Sequence, residues 1–151
     1  MMMRPKLLLG LAAVLLLTAS PCWSEPSPQQ TNKETVIQFY QKAINEKDFA
    51  AAQVYLGDKY IQHNPMAADG KEGLKKFIGY LKANAPNYHS DIKKAFTDGD
   101  YVILHVLNVP APGAQGKAIV DIFRLENGKI VEHWDVIQQI PDKSANGNGM
   151  F

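Results

Sequence analysis

The hydrophobic period of this chain changes at Pro86, and that change limits the fold more than any other feature of the sequence. Before it, apolar residues recur at helical spacing. Val36, Ile37, Phe39, Tyr40, Ala43 and Ile44 follow a capping-box pattern of Thr31 and Glu34 and predict a helix over 32–46. Asp48 caps a second, shorter helix through Phe49, Ala52, Val54, Tyr55 and Leu56, which Gly57-Asp58 ends. Tyr60 to Pro65 reads as a loop, and Asp69 starts a third helix with Leu74, Phe77, Ile78 and Leu81 on one stripe, stopped by Pro86. After Pro86 the segments 88–96, 101–109, 117–125 and 130–139 are rich in β-branched and aromatic residues. Turn signals at Asp98-Gly99, Pro110 to Gly113 and Glu126-Asn127-Gly128 separate them. Three helices followed by a four-strand meander specify an α+β domain whose sheet wraps its helices.

The N-terminus reads as an address rather than as structure. Arg4 and Lys6 precede an apolar run from Leu7 to Leu17, and Thr18 to Ser24 turns small and polar, the three parts of a secretory signal peptide cut after Ser24. The run is shorter than the roughly 20 residues that span a bilayer, so no stable membrane anchor is expected. Cleavage would remove Cys22, the single cysteine, and leave a chain with no disulfide. Lipid attachment at Cys22 would follow Ser20-Pro21, a poor match to that processing. The expected location is the periplasm or the exterior. Residues 25–31 would link the signal to a domain over 32–140, and the small, polar 141–151 would be a disordered tail.

The formal charge of +1 falls to −1 without Arg4 and Lys6, and nothing in it suggests a nucleic-acid partner. The four histidines, His63, His89, His105 and His133, include no i, i+4 pair, so no metal and no cofactor is expected.

The stretch Lys117 to Gln139 carries the chemistry. Asp121, Glu132, His133 and Asp135 interrupt two apolar strands, and charges there need a reason. Their faces depend on the turn. A two-residue Asn127-Gly128 turn sets Asp121 opposite Trp134 and separates the carboxylates, whereas a three-residue Glu126-Asn127-Gly128 loop sets Asp121 opposite His133. In the second register Asp121, His133 and Asp135 share an apolar wall with Ile119, Phe123, Val131 and Ile137. A carboxyl so desolvated can exchange protons near neutrality. The plainer reading is a cross-strand hydrogen bond between Asp121 and His133.

Tyr60 to Pro65, Asp69-Gly70, Val120 to Arg124 and Asn127 to Val136, with Glu132-His133-Trp134-Asp135 the most specific part, together resemble the SnoaL-like, polyketide cyclase-like branch of the nuclear-transport-factor-2-like superfamily. The resemblance covers 32–140. It implies a cone whose curved sheet, of four strands or slightly more, encloses a pocket, and a homodimer through the outer sheet face. It also implies that Asp135, after the tryptophan, points into the pocket as the acid/base, which selects the three-residue register. The cyclases' catalytic histidine falls at Asp121 here, so His133, His105 or His63 would have to supply the missing proton donor. Asp135, Asp121 and His133 are thus the candidate catalytic residues. His63, Asn64, His105, Phe123 and Trp134 are the candidate contacts to a small, apolar carbonyl compound. A non-catalytic binding or protein-association domain is the alternative.

Overall fold

The computed structural model describes residues 26–151, so the expected signal peptide and its cleavage point lie outside the described residues. Helix α1 spans Pro28–Tyr40 and starts four residues before the expected 32, because Ser27 accepts a bond from the Gln30 N–H as N-cap and Pro28 stands in the first turn, where its missing N–H costs nothing. Thr31 is inside that helix rather than at its cap. A π-helical stretch, Gln41–Asn45, extends it. Asp48 caps α2, Phe49–Ala52, by accepting from the Ala51 N–H, and a 3₁₀ turn follows over Gln53–Tyr55.

The second helix was expected to run through Leu56 but ends at Ala52, and strand β1, Leu56–Gln62, takes Leu56 from it and Tyr60 to Gln62 from the loop expected over 60–65. Helix α3, Gly70–Asn84, buries Leu74, Ile78 and Leu81. The remaining strands are β2, His89–Asp98; β3, Tyr101–Val109; β4, Lys117–Glu126; and β5, Lys129–Gln139. They form one sheet in the order β1-β5-β4-β3-β2, antiparallel except for β1 on β5. The architecture is therefore α+β, with five strands where four were read. The sheet's inner face meets α1 through Val102, Leu104, Val106 and Phe123, and Phe123 takes Phe39 and Tyr40 edge-on at 5.9 and 6.4 Å.

The β4–β5 hairpin has the two-residue turn. Glu126 pairs with Lys129 across Asn127 and Gly128, which both have positive φ (50° and 72°), as a type I′ turn requires. Continued unbroken, that register would carry His133 and Asp135 to the outer face. A bulge prevents it: Leu125 pairs with Ile130 but Arg124 pairs with Glu132, leaving Val131 as an extra residue in β5. Ile130 and Val131 are accordingly consecutive and both buried. Beyond the bulge Phe123 faces His133 and Asp121 faces Asp135. The expected convergence of Asp121, His133 and Asp135 holds, but the three-residue loop and the direct Asp121–His133 register are corrected.

Residues 140–151 form no helix or strand. The tail nevertheless makes contacts: Gln115 donates to Asp142, and the Phe151 ring stacks on His105.

Candidate functional site

A pocket of about 620 Å³ opens between the inner sheet face and the helices, within the range of small-molecule sites. Its apolar walls include Phe39, Ile44, Leu74, Phe77, Ile119, Phe123 and Ile137. Set into them is one polar cluster: Tyr60, Gln62, Asn64, Asp121, His133 and Asp135.

The cluster is built across three strands. Because β1 runs parallel along β5, Gln62 lies beside His133, and the His63 N–H donates to the His133 carbonyl at 2.9 Å. Alternation then turns Gln62 and Asn64 inward and His63 outward. Asn64 donates its amide N–H groups to both carboxylate oxygens of Asp135, at 2.9 and 2.7 Å. The Asn64 carbonyl in turn accepts from the Met66 N–H, which fixes the amide's orientation. Asp69 does not cap α3 with its side chain but accepts from the Gln62 N–H at 2.8 Å, tying the 63–69 loop to the site.

Gln62 determines the state of the histidine. Its side-chain carbonyl accepts from the Asn64 backbone N–H at 2.9 Å and bonds His133 Nδ1 at 3.0 Å, while its Nε2 donates to the Tyr60 hydroxyl. An atom that accepts the Asn64 N–H is the carbonyl oxygen, so His133 Nδ1 must carry a proton. His133 Nε2 then faces Asp121 Oδ1 at 3.0 Å, and a bond there requires one proton on either the ring or the carboxyl. Asp121 is 4% exposed and its Oδ2 has no partner. Burial pushes the Asp121 carboxyl up; hydrogen bonding and charge from His133 pull it down, but the net direction is up. Burial, reinforced by Asp121, also raises Tyr40 and Tyr60 well above the ordinary phenol range and Tyr88 to about 12, so all three stay protonated. The site thus holds a buried shared proton, a second carboxylate beside it and three neutral phenols.

Asp121, His133 and Asp135 also bring potential ligand atoms within 4.8 Å of one another. They are the residues that could hold a divalent cation, although His133 Nε2 and Asp121 Oδ1 already satisfy each other.

Three other residues expected at the pocket lie elsewhere. His63 stacks on Trp134 at 4.5 Å, with the rings 3° from parallel, and bonds Glu132 at 2.8 Å; Glu132 also accepts from Arg124. Trp134 therefore packs on the outer side of the sheet. His105 is on β3's outer face beneath Phe151. The pocket contacts His63, His105 and Trp134 are corrected to outer-face residues, since none lines the cavity, whereas Asn64 and Phe123 do. Gln62, Tyr40, Tyr60 and Tyr88 also line the pocket, none of them expected there. A strand reading of 56–62 would have placed Tyr60, Gln62 and Asn64 on one face by period two.

The profile of the SnoaL-like polyketide cyclases matches residues 34–143, more than two thirds of the chain. The chain belongs to the SnoaL-like family. Among curated proteins no match is found. Solved structures of similar fold include TsrD from Streptomyces laurentii, 20% identical with a TM-score of 0.62, covering 74% of this chain and 91% of that one. An NTF2-like protein from Cytophaga hutchinsonii is 21% identical with a TM-score of 0.59, covering 71% and 89%. An LEH-like epoxide hydrolase of M. tuberculosis is 16% identical with a TM-score of 0.63, covering 74% and 86%. At these identities the likeness is one of fold. Asp121, at the position where the resemblance implies a histidine in the cyclases, bonds the imidazole of His133 on β5.

Proposed function

We propose that this is an exported SnoaL-like enzyme that moves protons on a small, largely apolar carbonyl compound by acid/base catalysis. The observation that carries the reading is the buried Asp121–His133 pair, with its shared proton and an unpartnered Asp121 oxygen at the pocket wall. Asp135 is the base. Asn64 presents its carboxylate with both oxygens accepting, and the carboxylate takes a proton from the carbon next to the substrate carbonyl. The Asp121–His133 pair gives its proton to the carbonyl oxygen as charge develops there, and a neutral tyrosine hydroxyl donates to the same oxygen. The enol that results can return a proton to another carbon or attack a second carbonyl, which covers isomerisation and aldol closure alike. Export suits a site whose own side chains supply the acid and the base.

The test is exchange of α-protons in D₂O, followed by NMR, across a panel of apolar enolisable ketones. The parent is expected to exchange at least one of them, and Asp135→Asn to abolish exchange while still binding the ketone. Undiminished exchange in Asp135→Asn removes the base from the scheme. Binding without exchange in the parent makes the pocket a carrier site instead.

A further inference from the structure

The inner face of the β4–β5 ladder is layered along the strands. Phe123 faces His133, Asp121 faces Asp135, Ile119 faces Ile137, and Lys117 faces Gln139 at the pocket mouth. Proton chemistry, an apolar band and a cation therefore follow one another on one wall. Lys117 is the one cationic side chain lining the cavity, and it has no carboxylate within ion-pair distance among the described residues. Its strand partner does not occupy it: Gln139 donates to the Gly116 carbonyl, and Asp142 on the tail accepts from Gln115. Lys117 lies four residues before Asp121 on β4, which at about 3.3 Å per residue is about 13 Å.

We infer that the compound bound here is amphiphilic, with its carbonyl at Asp121 and Asp135, an apolar spacer across Ile119 and Ile137, and an anionic group, such as a carboxylate, held by Lys117. The inference rests on the acid/base reading for the inner end of the ligand and names the chemistry of the outer end. It makes Lys117 a specificity-determining residue. An ion pair at the exposed Lys117 contributes up to about 1 kcal/mol, or about fivefold in affinity.

Titration calorimetry tests this with two probes, a straight-chain methyl ketone ending in a carboxylate, with a chain long enough to bridge the roughly 13 Å from Asp121 to Lys117, and the methyl ester of the same compound. The parent is expected to bind the acid about fivefold more tightly than the ester, with the gap closing as salt is added. Lys117→Met is expected to bind both at the ester's affinity, and Lys117→Arg to restore the preference. Equal affinities in the parent, a preference that survives in Lys117→Met, or binding of neither probe overturns the inference. Exchange measured on the same samples separates the two readings. A salt-sensitive preference without exchange upholds the anion site and rejects the acid/base scheme, and exchange without preference does the reverse.

Discussion

Gln62 and His133 meet at 3.0 Å through an amide oxygen and a ring Nδ1, so a residue on the edge strand decides which imidazole nitrogen carries the proton while Nε2 faces Asp121. Nitrogen-15 NMR of the histidine rings should therefore find Nδ1 of His133 protonated across the neutral range. Gln62→Leu removes the acceptor and should leave the tautomers mixed, with exchange slowed about tenfold or more, in the range of a lost acid/base contribution. Tautomers unchanged in Gln62→Leu would show that the amide does not set them.

Asp121→Asn is expected to stabilise the protein while disabling it. Folding raises this carboxyl's pKa, so the folded state holds a proton that the unfolded chain releases, and stability falls as pH rises from about 4 towards the folded value. An asparagine amide can donate to His133 Nε2 without that penalty. Chemical unfolding at pH 7 should show a gain on the order of 1 kcal/mol, with a flatter dependence on pH above 4 and proton exchange lost. A destabilised, active variant would contradict the assignment.

Gly73→Ala should fail, against the usual preference of helices for alanine. A Cβ at Gly73 would stand 2.1 Å from the Ala68 carbonyl oxygen, so α3 and the 63–69 loop must part. The expected cost is about 2 kcal/mol, and because that loop carries Asn64, ketone binding should weaken with it. Thermal melts and titration of the same variant check both halves.

His63→Ala tests the outer face. Losing the Trp134 stack and the bond to Glu132 should lower stability by about 1 kcal/mol and leave exchange unchanged. Lost exchange with an intact melt would return His63 to the chemistry.

Helices α1 and α3 and the four later strands are legible because each is a long run with one period, bounded by Gly, Pro or Asn, whereas the second helix, expected through Leu56, ends at Ala52. Strand β1 is not legible. Its residues show no clean alternation, it is an edge strand, and its partner β5 begins 67 residues after its end, so no local signal announces the pairing. With β1 hidden, Gln62 has no assigned face, and His63 and Asn64 cannot be assigned to opposite ones. The Asp121, His133 and Asp135 grouping was legible as polar residues in apolar strands, but not the route to it. Asn127-Gly128 correctly signals a two-residue turn, while nothing in Ile130-Val131 marks a bulge beyond two adjacent apolar residues.

The bulge at Val131 sets the parity of the hairpin. With Val131 present, a two-residue turn keeps His133 and Asp135 inward only because the bulge absorbs the one residue that would otherwise invert the faces of β5. Deleting Val131 alone should therefore leave a regular ladder in which Leu125 still pairs with Ile130 and Arg124 with Glu132, with His133 and Asp135 still inward. The hairpin can thus lose this residue in evolution without touching the chemistry.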